Sequence, residues 1–174
     1  MRGKFLLCWA LLTALALAVP GPKMIAAARA HLGDRYSAEY FSGGRPPRGK
    51  RACVDEVVSA CRAVGLDLQS QIQRDSARVT YPLIRDRDID HRWAPNLNHW
   101  LRRHAEKLPN GRDFRAGDLV FWSLLNDGVA DHCGVLTEVR GATGKPLVIH
   151  QFPPECREED CLGRWTVVGH YRLL

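Results

Sequence analysis

Apolar residues recur at a helical spacing up to Gly117 and alternate like strand residues after it. From Met24 to Leu32 the chain is Ala-rich and helical in pattern, and Gly33 with Asp34 ends that run. Tyr36 to Arg51 carries Gly43, Gly44, Pro46, Pro47 and Gly49 and reads as a loop. Cys53 to Val64 reads as a second helix. Val54, Val57, Val58, Cys61 and Val64 share one face, and Gly65 is the C-terminal stop. Asp55 and Glu56 fall in its first turn, where the helix dipole favours negative charge. Leu66 to Asn96 is polar and irregular. Pro95 and Asn96 then open a third helix, with Leu97, Trp100, Leu101 and His104 as its apolar side.

Beyond a turn at Pro109 to Arg115 the period becomes that of strands. Leu119–Ser123, Cys133–Val139, Pro146–Phe152 and Trp165–Leu173 are the predicted strands, with Gly141 to Lys145 as a turn. Helices first and an antiparallel sheet second make an α+β fold, N-terminal helices packed on a C-terminal antiparallel sheet.

The first residues have a separate pattern. Arg2 and Lys4 precede an unbroken apolar run from Phe5 to Val19, and Ala16-Leu17-Ala18 has the small-x-small form of a leader-peptidase site. Pro20 and Gly21 are expected to break any helix there. The run is shorter than the roughly 20 residues of a comfortable membrane span. Residues 1–18 are therefore expected to be a secretory signal peptide, with an uncleaved anchor helix as the alternative. Cys8 sits too early for a lipoprotein site. The expected organisation is a leader, then one domain over 23–174 with an insert at about 66–115, exported to the periplasm or cell envelope, or secreted. No stable membrane insertion is expected after cleavage, and the protein is expected to be a monomer.

Composition narrows the partners. The formal charge is +6, and cleavage would remove two of the positive charges. A basic protein suits anionic surroundings, including an acidic wall polymer. The basic residues are scattered, Arg45 to Arg51 being the densest run, and no aromatic platform lies among them. No nucleic-acid role is expected, because that affinity needs a continuous basic stripe.

Five cysteines follow the leader: Cys53, Cys61, Cys133, Cys156 and Cys161. An odd count in an oxidising compartment leaves one thiol without an internal partner. Cys156 and Cys161 are close enough for a bridge, Cys61 and Cys133 read as buried thiols or a second bridge, and Cys53 is the natural free thiol. Cys53 opens a helix straight after a Gly/Pro-rich loop, where free N–H groups and the dipole stabilise a thiolate and an oxyanion beside it. Histidine as a residue type titrates near neutrality, and His132, at a strand edge, can face such a helix end as the base. His150 ends the next strand. If the strands form a hairpin, the two imidazoles lie on one face and His150 can hold the His132 ring. Read singly, Cys53 is equally a buried cysteine, and each histidine reads first as a satisfied structural residue.

Gly117-Asp-Leu-Val-Phe-Trp122, His132-Cys-Gly-Val135 and Val148-Ile-His150 resemble the catalytic sheet of NlpC-type papain-like cysteine peptidases and amidases. Ala26 to Gly44 is similar to that group's N-terminal helix and Tyr-containing loop. The resemblance implies a papain-like fold with Cys53 as nucleophile, His132 as base and His150 as the orienting residue. Tyr36 matches an active-site tyrosine. Cys53-Val-Asp55 with Glu56-Val-Val58, Gly65-Leu-Asp-Leu-Gln69, Asp88-Ile-Asp-His91-Arg92, Pro95-Asn-Leu97 and Gly169-His-Tyr-Arg172 resemble the bacterial domain-of-unknown-function family 1287. Two departures from typical NlpC enzymes stand out. Ala52-Cys53-Val54-Asp55 replaces their Asp-Cys-Ser-Gly, and residues 66–115 are additional. Asp55 and His91 are the candidate substrate-binding residues beside Tyr36, with Asp90 and Arg92 next to His91. His170 is expected to hold the last strand to a neighbour.

The function so implied is hydrolysis of an amide bond in peptidoglycan stem peptides or another peptide, through a thioester and without a cofactor. Acyl transfer on the same scaffold and a non-catalytic wall-binding module are the alternatives. A zinc site built from His132, Cys133, His150, Cys156 and Cys161 is disfavoured. Cys156 and Cys161 lack the usual close-pair spacing, and adjacent strand residues point to opposite faces.

Overall fold

The computed structural model describes residues 20–174, so the leader expected at 1–18 lies outside the described residues. Four α-helices occur among the described residues: α1 (Pro20–Arg29), α2 (Cys53–Ala63), α3 (Leu68–Arg74) and α4 (Ala94–His104). The strands are β1 (Arg35–Tyr36), β2 (Lys50–Arg51), β3 (Glu106–Lys107), β4 (Leu119–Ser123), β5 (His132–Arg140), β6 (Pro146–Phe152), β7 (Glu155–Glu159) and β8 (Thr166–Arg172). They form one curled sheet in the order β2-β1-β7-β6-β5-β4-β8-β3, antiparallel except for the β1–β2 pair. The fold is α+β, as the change of period implied.

The sheet separates two apolar layers. On the helix side, Met24, Ile25, Val57, Ala60, Cys61, Leu97 and Leu101 pack against Phe121, Cys133, Val135 and Ile149. On the other side, Val120, Trp122, Leu136, Val148, Cys161 and Leu162 form a smaller cluster under Phe114 and Trp165. Each fully buried leucine contributes about 2 kcal/mol of apolar burial, so α2 and α4 are held mainly by their inner stripes. Arg29 adds a clamp between layers, with Nε and Nη2 on Glu158 at 2.9 and 2.6 Å and Nη1 on Glu138 at 2.6 Å.

Several elements differ from the sequence reading. Pro20 and Gly21 lie within α1 among the described residues; whether they end a helix of the apolar run before them lies outside the described residues. Gly21 is needed there because a Cβ on it would come within 2.8 Å of the Ala116 carbonyl oxygen, and Gly117, at a φ of +87°, lacks the Cβ that would press on the Gly21 Cα. Residues 68–74 form α3 within the stretch taken as irregular, and α4 starts at Ala94. Glu155–Glu159, not among the predicted strands, is strand β7.

The Cys156–Cys161 bridge does not form; all five described cysteines are free. Cys156 points from β7 into the helix-side core, whereas Cys161 lies past the end of that strand in the opposite apolar layer. His170 holds β8 as expected: its Nε2 lies 2.8 Å from Asp118 Oδ2, and Arg172 donates to both Asp118 oxygens.

Candidate active site

Cys53 is the first residue of α2, preceded by Ala52 in extended conformation. Asp55 Oδ2 accepts the Ala52 N–H at 2.7 Å, closing the helix start from below. The N–H groups of Cys53 and Val54 are left without a protein acceptor among the described residues. The Cys53 side chain is half-buried and opens on a cleft of about 530 Å³, lined by Tyr36, Glu39, Tyr40, Leu83, Ile89, Arg92, Trp93, Pro95 and Asp131.

His132 begins β5, where the strand passes the N-terminus of α2. His132 and His150 lie on the same face of the β5–β6 hairpin, with Gly134 between them. A side chain at Gly134 would press on Val148 and the Ile149 carbonyl, with the His150 Cβ only 3.1 Å away. Its absence lets the rings meet: His132 Nε2 lies 2.7 Å from His150 Nδ1. His150 Nε2 lies in turn 2.8 Å from Glu159 Oε1. A carboxylate only accepts, so His150 Nε2 carries the proton and donates to Glu159. Its Nδ1 then accepts from His132 Nε2–H, and His132 Nδ1 is left as the nitrogen for Cys53.

Charge follows the same order. The Cys133 thiol, then the His132 imidazole, draw the Cys53 thiol well below its ordinary range, against the burial that would raise it. Cys133, in the apolar core with the Cys53 sulfur beside it, is pushed up and stays a thiol donor. Burial, then the neighbouring His132 charge, lowers His150 to about 4, so it is uncharged at neutral pH. Aromatic rings enclose the base: Trp122 stacks on His132 at 5.5 Å, with Trp165 and Phe152 both at 5.4 Å.

Residues 23–173 match the family described as a domain of unknown function, DUF1287. The chain belongs to that family. It is 42% identical to the uncharacterized protein YijF of Escherichia coli K12, over 76% of this chain and 68% of that one. Among solved structures it is similar to NlpC1 from Trichomonas vaginalis, at a TM-score of 0.58 and 15% identity, covering 91% of this chain and 45% of that one. It is also similar to an N-acetylmuramoyl-L-alanine amidase from Bacteroides uniformis, at 0.53 and 12%, covering 89% and 99%. An NLP/P60-family protein similar to lipoprotein, from Staphylococcus aureus, matches at 0.51 and 16%, covering 89% and 41%. The chain thus spans under half the length of the NlpC1 and NLP/P60 chains. These likenesses show that the DUF1287 fold is the NlpC/P60 papain-like fold.

The structure of this DUF1287 chain brings Cys53, His132 and His150 together and puts Tyr36 on the cleft wall. Asp55 and His91 are placed elsewhere. Asp55 is buried beneath the helix start, where Arg92 Nε and Nη2 each reach it at 3.0 Å. His91 is buried facing away from the cleft, its Nε2 at 3.1 Å from the Gly44 carbonyl, and burial lowers it to about 4. Asp90 is buried under the insert, accepting the Arg85 and Asp86 N–H groups at 2.9 and 3.1 Å. Arg92 is the member of that run that lines the cleft. The 66–115 region thus reaches the site from two directions, through Arg92 to the nucleophile's helix and through Leu83, Ile89, Trp93 and Pro95 as cleft wall.

Glu159, the grip of Arg92 on Asp55 and the pairing of Cys133 with Cys53 were not foreseen. The signal for Glu159 was available only in three dimensions: β7 is charged at most positions, and its register opposite Val148 brings Glu159 near the His150 ring. No helix among the described residues is long and apolar enough to cross a membrane.

Proposed function

We propose that this protein is an exported cysteine hydrolase that cleaves an amide bond in peptidoglycan stem peptides. The observation that carries the reading is the hydrogen-bonded chain His132–His150–Glu159 beside Cys53, whose sulfur sits at a helix N-terminus on the cleft and is drawn towards the thiolate by His132. In it, His132 Nδ1 takes the Cys53 proton and the thiolate attacks the carbonyl carbon. The oxyanion meets the open N–H groups of Cys53 and Val54. The His132 imidazolium, its Nε2–H held by His150, returns the proton to the departing amine, leaving a thioester. Water, deprotonated by His132, then releases the acid and restores the thiol.

The wall substrate is supported by the amidase of the same fold, which this chain covers almost end to end. The basic surface and the apolar run before Pro20 agree with it. The test is incubation of wall-derived muropeptides with the purified protein, read by mass spectrometry. Cleavage adds one water per bond and yields a new amine, and Cys53→Ala abolishes it. Intact muropeptides after long incubation with the folded wild type, or equal cleavage by Cys53→Ala, would overturn the reading.

A further inference from the structure

Behind His150, on the face away from the helices, three side chains of metal-ligating type converge. His150 Nε2, Glu159 Oε1 and Cys161 Sγ all lie within 4.8 Å of one another. The nitrogen is 3.5 Å from the sulfur and 2.8 Å from the carboxylate oxygen. His150 and Cys161 are buried, whereas the Glu159 side chain is 34% exposed, so the group opens to solvent on one side.

We propose that His150, Glu159 and Cys161 form a binding site for a zinc-class divalent cation. Zinc takes nitrogen at about 2.0–2.1 Å and sulfur at about 2.3 Å, and tetrahedral angles then separate the two ligands by about 3.5 Å. That is the spacing found between His150 and Cys161. Glu159, drawn in by its hydrogen bond, moves outward by about half an ångström to match such a geometry, as the exposed end of β7 permits. Water from the open side supplies the fourth ligand. Imidazole with thiolate selects zinc, cobalt or copper over calcium and magnesium. On binding, Cys161 and His150 Nε2 each release a proton to solvent, the latter balanced by uptake at Nδ1. Arg164, 3.9 Å from Glu159 and already packed over Trp165 and Phe152, must turn away from the carboxylate. This ligand set differs from the one weighed on sequence, because Cys133 and Cys156 lie in the opposite layer.

Occupancy has a consequence that rests on the hydrolase reading, whereas the site itself does not. Metal on His150 Nε2 leaves the ring proton on Nδ1, aimed at His132 Nε2. His132 must accept there and carry its own proton on Nδ1, towards Cys53, which is the wrong nitrogen for a base. The metal-loaded protein is therefore shut.

The experiment titrates the purified, untagged protein with Zn²⁺ by calorimetry and with Co²⁺ by absorption, beside Cys53→Ala, Cys161→Ser and Glu159→Gln. Wild type and Cys53→Ala are expected to bind one metal, with a thiolate-to-cobalt charge-transfer band. Cys161→Ser is expected to lose that band and to bind zinc more than about tenfold more weakly, the loss that even an outer-shell change produces. Glu159→Gln, at a half-exposed position that does not threaten folding, is expected to weaken binding likewise. Absence of zinc binding, or binding that survives both Cys161→Ser and Glu159→Gln, would overturn the site. A band lost in Cys53→Ala would place the metal on the nucleophile instead and overturn it equally. Zinc binding with unchanged alkylation of Cys53 would overturn the shut state. A Cys53 that is inert even without metal would count against the hydrolase reading and leave the binding result standing.

Discussion

Cys53 is pulled towards the thiolate by two neighbours of different kinds. His132 supplies a base and then a positive charge, while Cys133 supplies an S–H held protonated by the core around it. Removing either neighbour should move the nucleophile's pKa up. Cys133→Ala is thus expected to raise the apparent pKa of Cys53 and slow its alkylation at pH 7, without touching the base; an unchanged titration would show that the thiol pair is inert. Glu159 acts one step further out. Glutamine there removes the charge and can offer its amide N–H to His150, which favours the wrong tautomer. Glu159→Gln is expected to slow Cys53 alkylation at neutral pH by about tenfold, less than the loss of a residue touching the base itself. Stopped-flow measurement with a neutral maleimide checks both variants. At this scale Cys53, His132 and His150 were legible as candidates because each sits at an element boundary that periodicity marks, and the structure brings them to one place. Glu159 and Cys133 were hidden because their roles depend on sheet register and on which core each face meets.

The start of α2 is held by a part of the chain far from it in sequence. Arg92 grips both oxygens of Asp55 at 3.0 Å and the Glu39 carbonyl at 2.8 Å, joining the insert, the nucleophile's helix and the tyrosine loop. The Arg92 and Asp55 side chains are 6% and 4% exposed. Taking one partner from such a buried pair costs about 3–5 kcal/mol. Arg92→Ala is expected to lower unfolding stability by roughly that amount in urea titrations and to slow Cys53 alkylation as the Ala52–Asp55 cap loosens. Asp55, buried and absent from the cleft lining, thus holds the helix start from beneath. The four long strands and three of the helices were legible because each buries one face and so leaves a periodic trace. Helix α3 was not, since Leu68, Gln69 and Ile72 are its only buried positions. Strand β7 was not because its outward residues are charged and Cys156 is its single buried one.

Across the whole molecule, the cost of the arrangement shows at Glu56, which sits fully buried one turn into α2. Neither carboxyl oxygen has a hydrogen-bond partner, and the nearest cation, Arg51 Nε, is 3.8 Å away. Burial raises this group to about 8. Between about pH 4.5 and 8 the folded chain keeps a proton there that the unfolded chain has released, so stability falls as pH rises through that window. His91 and His150, lowered to about 4, act in the opposite sense, but only below the ordinary histidine value of about 6.5. From pH 6.5 to 8 Cys53, drawn well below its ordinary range, acts in the opposite sense to Glu56, so the Glu56 contribution is isolated by comparing wild type with Glu56→Gln. Glu56→Gln is expected to shift the Tm change across that interval upward, relative to wild type, by about 3 K or more. Calorimetry of both proteins at the two pH values checks it, and parallel profiles would contradict it.

Everything proposed for function depends on whether Cys53 is a thiolate paired with His132 in the folded protein. The most direct measurement is the rate of thiol alkylation across pH for wild type, Cys53→Ala and His132→Ala. The expected result is one reactive thiol with an apparent pKa well below the free-cysteine value of about 8.5. Cys53→Ala should remove it, and His132→Ala should suppress it. An unreactive Cys53, a titration at or above the free-cysteine value, or reactivity indifferent to His132 would contradict the proposed function.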